Sequence, residues 1–283
     1  MFFILCAWCS AFVIVERGHA AGAAAAPTPA MLRGAPTPTV ALLMADHRSP
    51  VALAKAGARG NNLTVAMAAY LNVAYCRRQR YLCILYTYRR ADGCAHSQWG
   101  HRHPSYCKLT AVAHALNEVA TSDVRAAVLQ PSIQHLVFLD SDCFVRDVSL
   151  SLPSMLQLYQ PTVANGAGGR ARAEAAPVAS FAWDTPYSLG PNGGFFVLHT
   201  ANGGRESRAK ARLHDFLRFW WNVESGRFGL EHSYEQHTLQ WQVMHVMHQQ
   251  VQTLRLRAME PNTTDPIVHL DQNVGTKQRH FVI

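Results

Sequence analysis

The sequence predicts a single α/β domain whose mixed, mostly parallel sheet is flanked by helices. Three observations carry that expectation. Short β-prone runs alternate with stretches of helical periodicity. One run, Leu136–Leu139, is continuously apolar, as a strand covered on both faces must be. It ends in Asp140-Ser141-Asp142, and open α/β sheets bind ligands at the carboxyl ends of their strands. The chain has 283 residues, 49% apolar and 16% charged, which is enough to bury one large core.

The elements follow in chain order. Residues 1–20 contain an apolar run that, at about 15 residues, would span roughly 22 Å as a helix. A bilayer core is roughly 30 Å thick. Gly18, Ala20 and Ala21 follow, so the segment reads as a cleaved signal peptide or a short signal anchor, and either one directs the chain into the secretory pathway. Residues 21–60 are rich in Ala, Pro, Gly and Thr and read as a stem or linker. The folded domain is then expected over 61–283.

Within that domain Thr64–Tyr70 reads as a first strand, Asn72–Arg80 as a short helix and Tyr81–Tyr88 as a second strand. A polar loop leads to Pro104. Apolar residues at 109, 112, 113, 116, 119 and 120 then predict a helix over 105–120, capped by Ser105. The strand at 134–139 leads into the aspartates. After a Gly/Ala-rich loop at 165–176, Val178–Trp183 and Gly194–His199 read as strands, Arg208–Asn222 and Ser233–His248 as helices, and Thr253–Ala258 as a last strand.

The net charge of +8 suits an anionic partner. The basic residues are scattered, however, with no arginine-rich arm and no zinc-finger spacing, so nucleic acid is not the expected partner. Beyond residue 20 the cysteines are Cys76, Cys83, Cys94, Cys107 and Cys143. Cys94 and Cys107 flank a polar loop and are the expected disulfide, whereas Cys143 reads as a buried packing residue. Glycosylation sequons at Asn62 and Asn262 agree with a secretory route.

Asp140 and Asp142 repel each other unless positive charge lies between them. A hard divalent cation, Mn²⁺ or Mg²⁺, is the expected answer. Downstream, Asn192, Gly193 and Gly194 precede an apolar strand, where glycines admit a ligand to the backbone and an amide matches sugar hydroxyls. Glu235 and Gln236 open a helix. His269, Gly275 and Lys277 share a short C-terminal loop, where imidazole suits Mn²⁺ and lysine suits phosphate.

In this order the segments resemble the nucleotide-sugar glycosyltransferases of the GT-A (Rossmann-like) fold. They are most like glycosyltransferase family 34, the galactosyl/xylosyl/mannosyl-transferase group, with features of family 8. The resemblance covers about residues 62–280. It rests on Asn72, Tyr75, Cys76 and Tyr81 before the second strand, on Lys108 opening a helix, and on the Phe138-Leu-Asp-Ser-Asp142 strand end. Asn192, Gly194 and Phe196, then Glu235-Gln236, then His269, Gly275 and Lys277 complete it. His135–Leu139 departs from the aromatic run usual in family 34, and His269 to Gly275 is longer than the family 8 spacing.

The resemblance implies a hexose or pentose carried from a nucleotide-diphosphate sugar, a UDP-sugar first, to a glycan or glycoprotein acceptor in the Golgi lumen, with retention of configuration. It implies a metal held by Asp142, Asp140 and His269. It also implies donor contacts from Asp140, Ser141, Lys108, Gly193, Gly194, Gly275 and Lys277, and catalytic roles for Glu235, Gln236 and Asn192. The implied mechanism leaves open a front-face reaction or a covalent intermediate on Glu235. A haloacid-dehalogenase phosphatase also carries D-x-D after a strand, but after its first one and in the form D-x-D-x-[TV]; here Cys143-Phe144 follows. A secreted carbohydrate-binding protein of the same fold without turnover is the other alternative, and it would not need the metal and phosphate residues.

Overall fold

The computed structural model describes residues 12–16, 38–57, 59–88, 94–96, 100–116, 133–159, 177–183, 190–200, 206–223, 234–247, 251–257 and 267–269. In chain order these form β1 (Phe12–Glu16), β2 (Val40–Asp46), α1 (Pro50–Lys55), α2 (Asn61–Gln79) and β3 (Leu82–Thr87). A hairpin of β4 (Cys94–His96) and β5 (Gly100–Arg102) leads to α3 (Cys107–Ala115), β6 (His135–Asp140), β7 (Cys143–Val145) and α4 (Leu152–Leu158). Then come β8 (Ala179–Trp183), β9 (Pro191–His199), α5 (Glu206–Asn222) and α6 (Tyr234–Thr238). A π-helical turn (Leu239–Val243), α7 (Met244–Met247), β10 (Val251–Arg257) and β11 (Ile267–His269) follow.

The main sheet runs β1-β3-β2-β6-β9-β8-β10. Its pairs are parallel except those of β9, which is antiparallel to both neighbours. The mixed, mostly parallel sheet is therefore as expected. The central strands β2, β3 and β6 are apolar without alternation because both faces are covered. On β6, Leu136 and Phe138 enter a core formed with α3 and α5, while Val137 and Leu139 enter the opposite core with α2 and α4.

Two expectations are corrected. Val40–Asp46, read as part of the stem, is a central strand buried along its whole length. Its seven residues VALLMAD form a two-sided apolar run whose signal is hidden between Ala- and Pro-rich flanks, so the folded domain begins before residue 61. Thr64–Tyr70, read as a strand, lies inside α2. Val65, Ala68, Ala69, Asn72, Tyr75 and Cys76 are its buried residues, spaced three and four apart as one helix face requires. That helix closes on Arg80, which takes the left-handed conformation at φ 60°. Phe12–Glu16, inside the segment whose apolar run suggests a leader, pairs in parallel with β3 at the sheet edge. Among the described residues no helix is long and apolar enough to cross a membrane.

The expected disulfide Cys94–Cys107 is present, with a Cα–Cα distance of 5.1 Å. Cys143 is a buried free cysteine whose thiol is pushed up by burial and then by the charges of Asp142 and Asp140, consistent with a packing role. The 165–176 loop, Asn262, Gly275 and Lys277 lie outside the described residues.

Candidate active site

The site sits where the sheet changes direction of winding. β2 has β3 on one side and β6 on the other, and the three parallel strands end at the same edge, where ligands bind in sheets of this kind. Because β9 runs the opposite way, its start lies at the same edge. The register puts Ala45 beside Asp140 and Leu139 beside Phe195. Asp46, Asp140 and the Asn192-Gly193-Gly194 turn thus share one rim.

Lys108 organises that rim. It is 8% exposed, and its Nζ lies 3.0 Å from Asp140 Oδ1 and 2.9 Å from Glu235 Oε1. It also donates to the Gly193 carbonyl at 3.1 Å. Burial opposes the charge on Lys108, but the two carboxylates outweigh it and hold its pKa above the ordinary lysine value. The ammonium's three N–H groups match these three acceptors. It is the cation that lies between two carboxylates.

Its partners come from separate elements, each fixed locally. α6 presents Glu235, and the Trp220 indole N–H donates to the Glu235 carbonyl at 2.9 Å. Gln236 Oε1 accepts the Gly193 N–H at 3.3 Å. Asn192 Oδ1 accepts the Gly194 N–H at 2.6 Å, folding the turn onto itself. A Cβ on Gly194 would stand 2.9 Å from Asp140 Oδ2 and 2.8 Å from Asn192 Oδ1, so any side chain there would displace one of these oxygens.

Behind the aspartates, Asn72 is fully buried and clamps β7. Its Nδ2 donates to the Cys143 carbonyl at 2.8 Å, and its Oδ1 accepts the Val145 N–H at 3.0 Å. The other edge of β7 pairs with β11, which sets His269 opposite Cys143, one residue from Asp142. Backbone register thus brings the His269 position beside the aspartates.

The sequence missed a second cluster at the end of β2. Arg48 grips Asp46 through two N–H···O bonds, Nε to Oδ1 at 2.9 Å and Nη2 to Oδ2 at 2.8 Å. The Arg48 backbone N–H adds a third at 2.7 Å. Burial raises the Asp46 pKa, but hydrogen bonds from Arg48 and from the Ser141 hydroxyl outweigh it and leave it low. Ser141, expected as a donor contact, thus turns its hydroxyl to Asp46. Tyr88, just beyond β3, is pushed up to about 12 by burial and by the charges of Asp46, Asp140 and Glu235. The available signal was that VALLMAD ends in a carboxylate as HLVFLD does.

Among the described residues, Lys108 thus pairs with Asp140 and Glu235, Arg48 pairs with Asp46, and the charge of Asp142 acts on Arg48 as well. Among the described residues no three His, Cys, Asp or Glu side chains form a ready ligand group. Asp142 follows β6, with the His269 position alongside. Asp140 pairs with Lys108 through both oxygens, at 3.0 and 3.3 Å.

No protein-family model matches the chain, and no curated protein matches it. A solved glycosyltransferase involved in the glycosylation of the major capsid of PBCV-1 is similar at 14% identity. Its TM-score is 0.51, over 85% of this chain and 95% of that one. Apo mouse xyloside xylosyltransferase 1 is similar at 10% identity with a TM-score of 0.41, over 85% of this chain and 99% of that one. The first likeness, together with the sheet order and single core-bearing sheet, establishes a GT-A type α/β fold in one domain.

Proposed function

We propose that the protein is a metal-dependent glycosyltransferase of the secretory pathway, resident in the Golgi lumen. It moves a hexose or pentose from a nucleotide-diphosphate sugar, a UDP-sugar first, to a glycan or glycoprotein acceptor with retention of configuration. The observation that carries this reading is Lys108, which draws Asp140, Glu235 and Gly193 to one point beside Asp142 at the sheet's ligand edge.

Asp142 and His269 would hold Mn²⁺ or Mg²⁺, which supplies Lewis-acid stabilisation of the leaving diphosphate. The protein's own residues do the rest. The Asn192-Gly193-Gly194 turn offers backbone and amide groups along a sugar ring. Glu235, paired with Lys108, faces the same rim and stabilises positive charge that develops at the anomeric carbon. Gln236 fixes the turn through the Gly193 N–H. Gly275 and Lys277 would add anion contacts from the C-terminal segment.

The test is donor hydrolysis. Purified protein with Mn²⁺ and a panel of UDP- and GDP-sugars should release nucleoside diphosphate slowly from one donor. Asp142→Ala or EDTA should abolish the release. Release that survives both would sink metal dependence, and sugar binding without turnover of any donor would favour the carbohydrate-binding alternative.

A further inference from the structure

Arg48 is bonded to Asp46 and lies within the field of Asp142. The guanidinium is forked on Asp46 at 2.9 and 2.8 Å, yet it still feels the charge of Asp142. Among the described residues, Arg48 Nη1 also makes a long 3.5 Å bond to Asn62 Oδ1. Asp46 is 7% exposed, stands next to Ala45 (the register partner of Asp140), and accepts from the Ser141 hydroxyl. One buried carboxylate therefore holds both the nearest arginine and the residue between the two site aspartates.

We propose that Asp46 is a positioning residue: it locks Arg48 away from Asp142 and tethers Ser141, so that Asp142 is presented to a divalent cation. This rests on the metal-dependent reading above. The physics is a competition between two carboxylates for one planar, permanently charged fork. A bidentate guanidinium on Asp46 is the stronger arrangement, because both parallel N–H···O bonds are made and one partner is already buried. Without the Asp46 charge, the fork moves to the other carboxylate whose charge acts on it, Asp142, and there it opposes a cation directly. The Ser141 tether acts on the same turn from the other side, by fixing the backbone between Asp140 and Asp142.

The test uses Mn²⁺ itself, titrated into the full chain and followed by electron paramagnetic resonance. Asp46→Asn should weaken Mn²⁺ binding about tenfold or more, the usual range for outer-shell changes at metal sites. Adding Arg48→Met to Asp46→Asn should restore most of it, which no general loosening of the fold would do. Ser141→Ala leaves the ion pair intact and covers the case in which Asp46→Asn fails to fold. It should speed amide exchange across residues 140–146 in the metal-free protein, and Ser141→Thr should return it to the wild-type rate. Wild-type Mn²⁺ affinity in Asp46→Asn, or no rescue by Arg48→Met, overturns the lock; unchanged exchange in Ser141→Ala overturns the tether. A wild-type protein that binds no Mn²⁺ overturns both the metal-dependent reading and the lock, and the exchange arm still decides the tether.

Discussion

Lys108 and Glu235 form an ion pair at 2.9 Å, and both side chains are only 9% exposed. They come from helices far apart in the chain, α3 and α6, and meet over the start of β9. Such a pair is costly to break from one side, because the partner left behind is a buried, uncompensated charge. Here the cost is compounded, since the same ammonium also serves Asp140 and the Gly193 carbonyl.

Lys108→Met should therefore destabilise the fold by about 3–5 kcal/mol in urea denaturation and eliminate turnover. Glu235→Gln keeps the volume and leaves Lys108 its other two acceptors, so its stability loss should be clearly smaller while turnover still falls. Equal losses from the two substitutions would show that Lys108 is not the hub of the rim.

The two glycines of the β9 turn should respond differently. At Gly194 an added Cβ meets Asp140 and Asn192 below 3.0 Å; at Gly193 the nearest atoms are 3.6 Å or more away. Gly194→Ala should cost about 1–3 kcal/mol by overpacking. By displacing groups about 1 Å within the site it should also lower turnover about a hundredfold. Gly193→Ala should leave the denaturation midpoint close to wild type. The pair is read by parallel melts and donor-hydrolysis assays.

What the sequence made legible depended on how sharply each element punctuates itself. β6 and β9 stand out because apolar runs meet polar turns, and α5 because Leu213, Phe216, Leu217 and Trp220 mark one face. β2 was lost because its composition merges with the Ala/Pro-rich flank, and Asp46 and Arg48 were lost with it. The start of α2 was taken for a strand because Thr64-Val65 begins a short apolar run whose helical period shows only over the full nineteen residues. Lys108 could be singled out by motif, but its role could not. A lysine that serves phosphate and one that bridges two carboxylates look alike until the partners are placed.

The disulfide should matter to the site as well as to the fold. Cys107 immediately precedes Lys108, and Cys94–Cys107 closes a loop with a sequence separation of 13. On loop-entropy grounds the bond contributes about 3 kcal/mol. Replacing both cysteines by serine should lower the denaturation free energy by about that amount. It should also reduce turnover more than Mn²⁺ binding, because α3 carries Lys108 while Asp142 leaves from β6. Unchanged turnover in the double variant would separate the hairpin from the site.

At the opposite end of β6 from the aspartates, His135 and His199 are cross-strand partners with their Nδ1 atoms 3.1 Å apart. His199 Nε2 meets the Ser180 hydroxyl at 2.8 Å. Burial, then the neighbouring His135, lowers His199 from 6.5 to about 4, and burial lowers His135 too. Both imidazoles are thus favoured neutral in the fold, and the unfolded chain binds more protons below about pH 6.5. The contribution is fully present above that value and is lost as pH falls toward 4, on the order of 3 kcal/mol for His199. Urea midpoints should accordingly drop steeply between pH 6.5 and pH 4.5, and His199→Gln should flatten that slope while leaving its sign for the remaining groups. A wild-type slope matched by His199→Gln across this window would mean that His199 titrates normally in the folded protein.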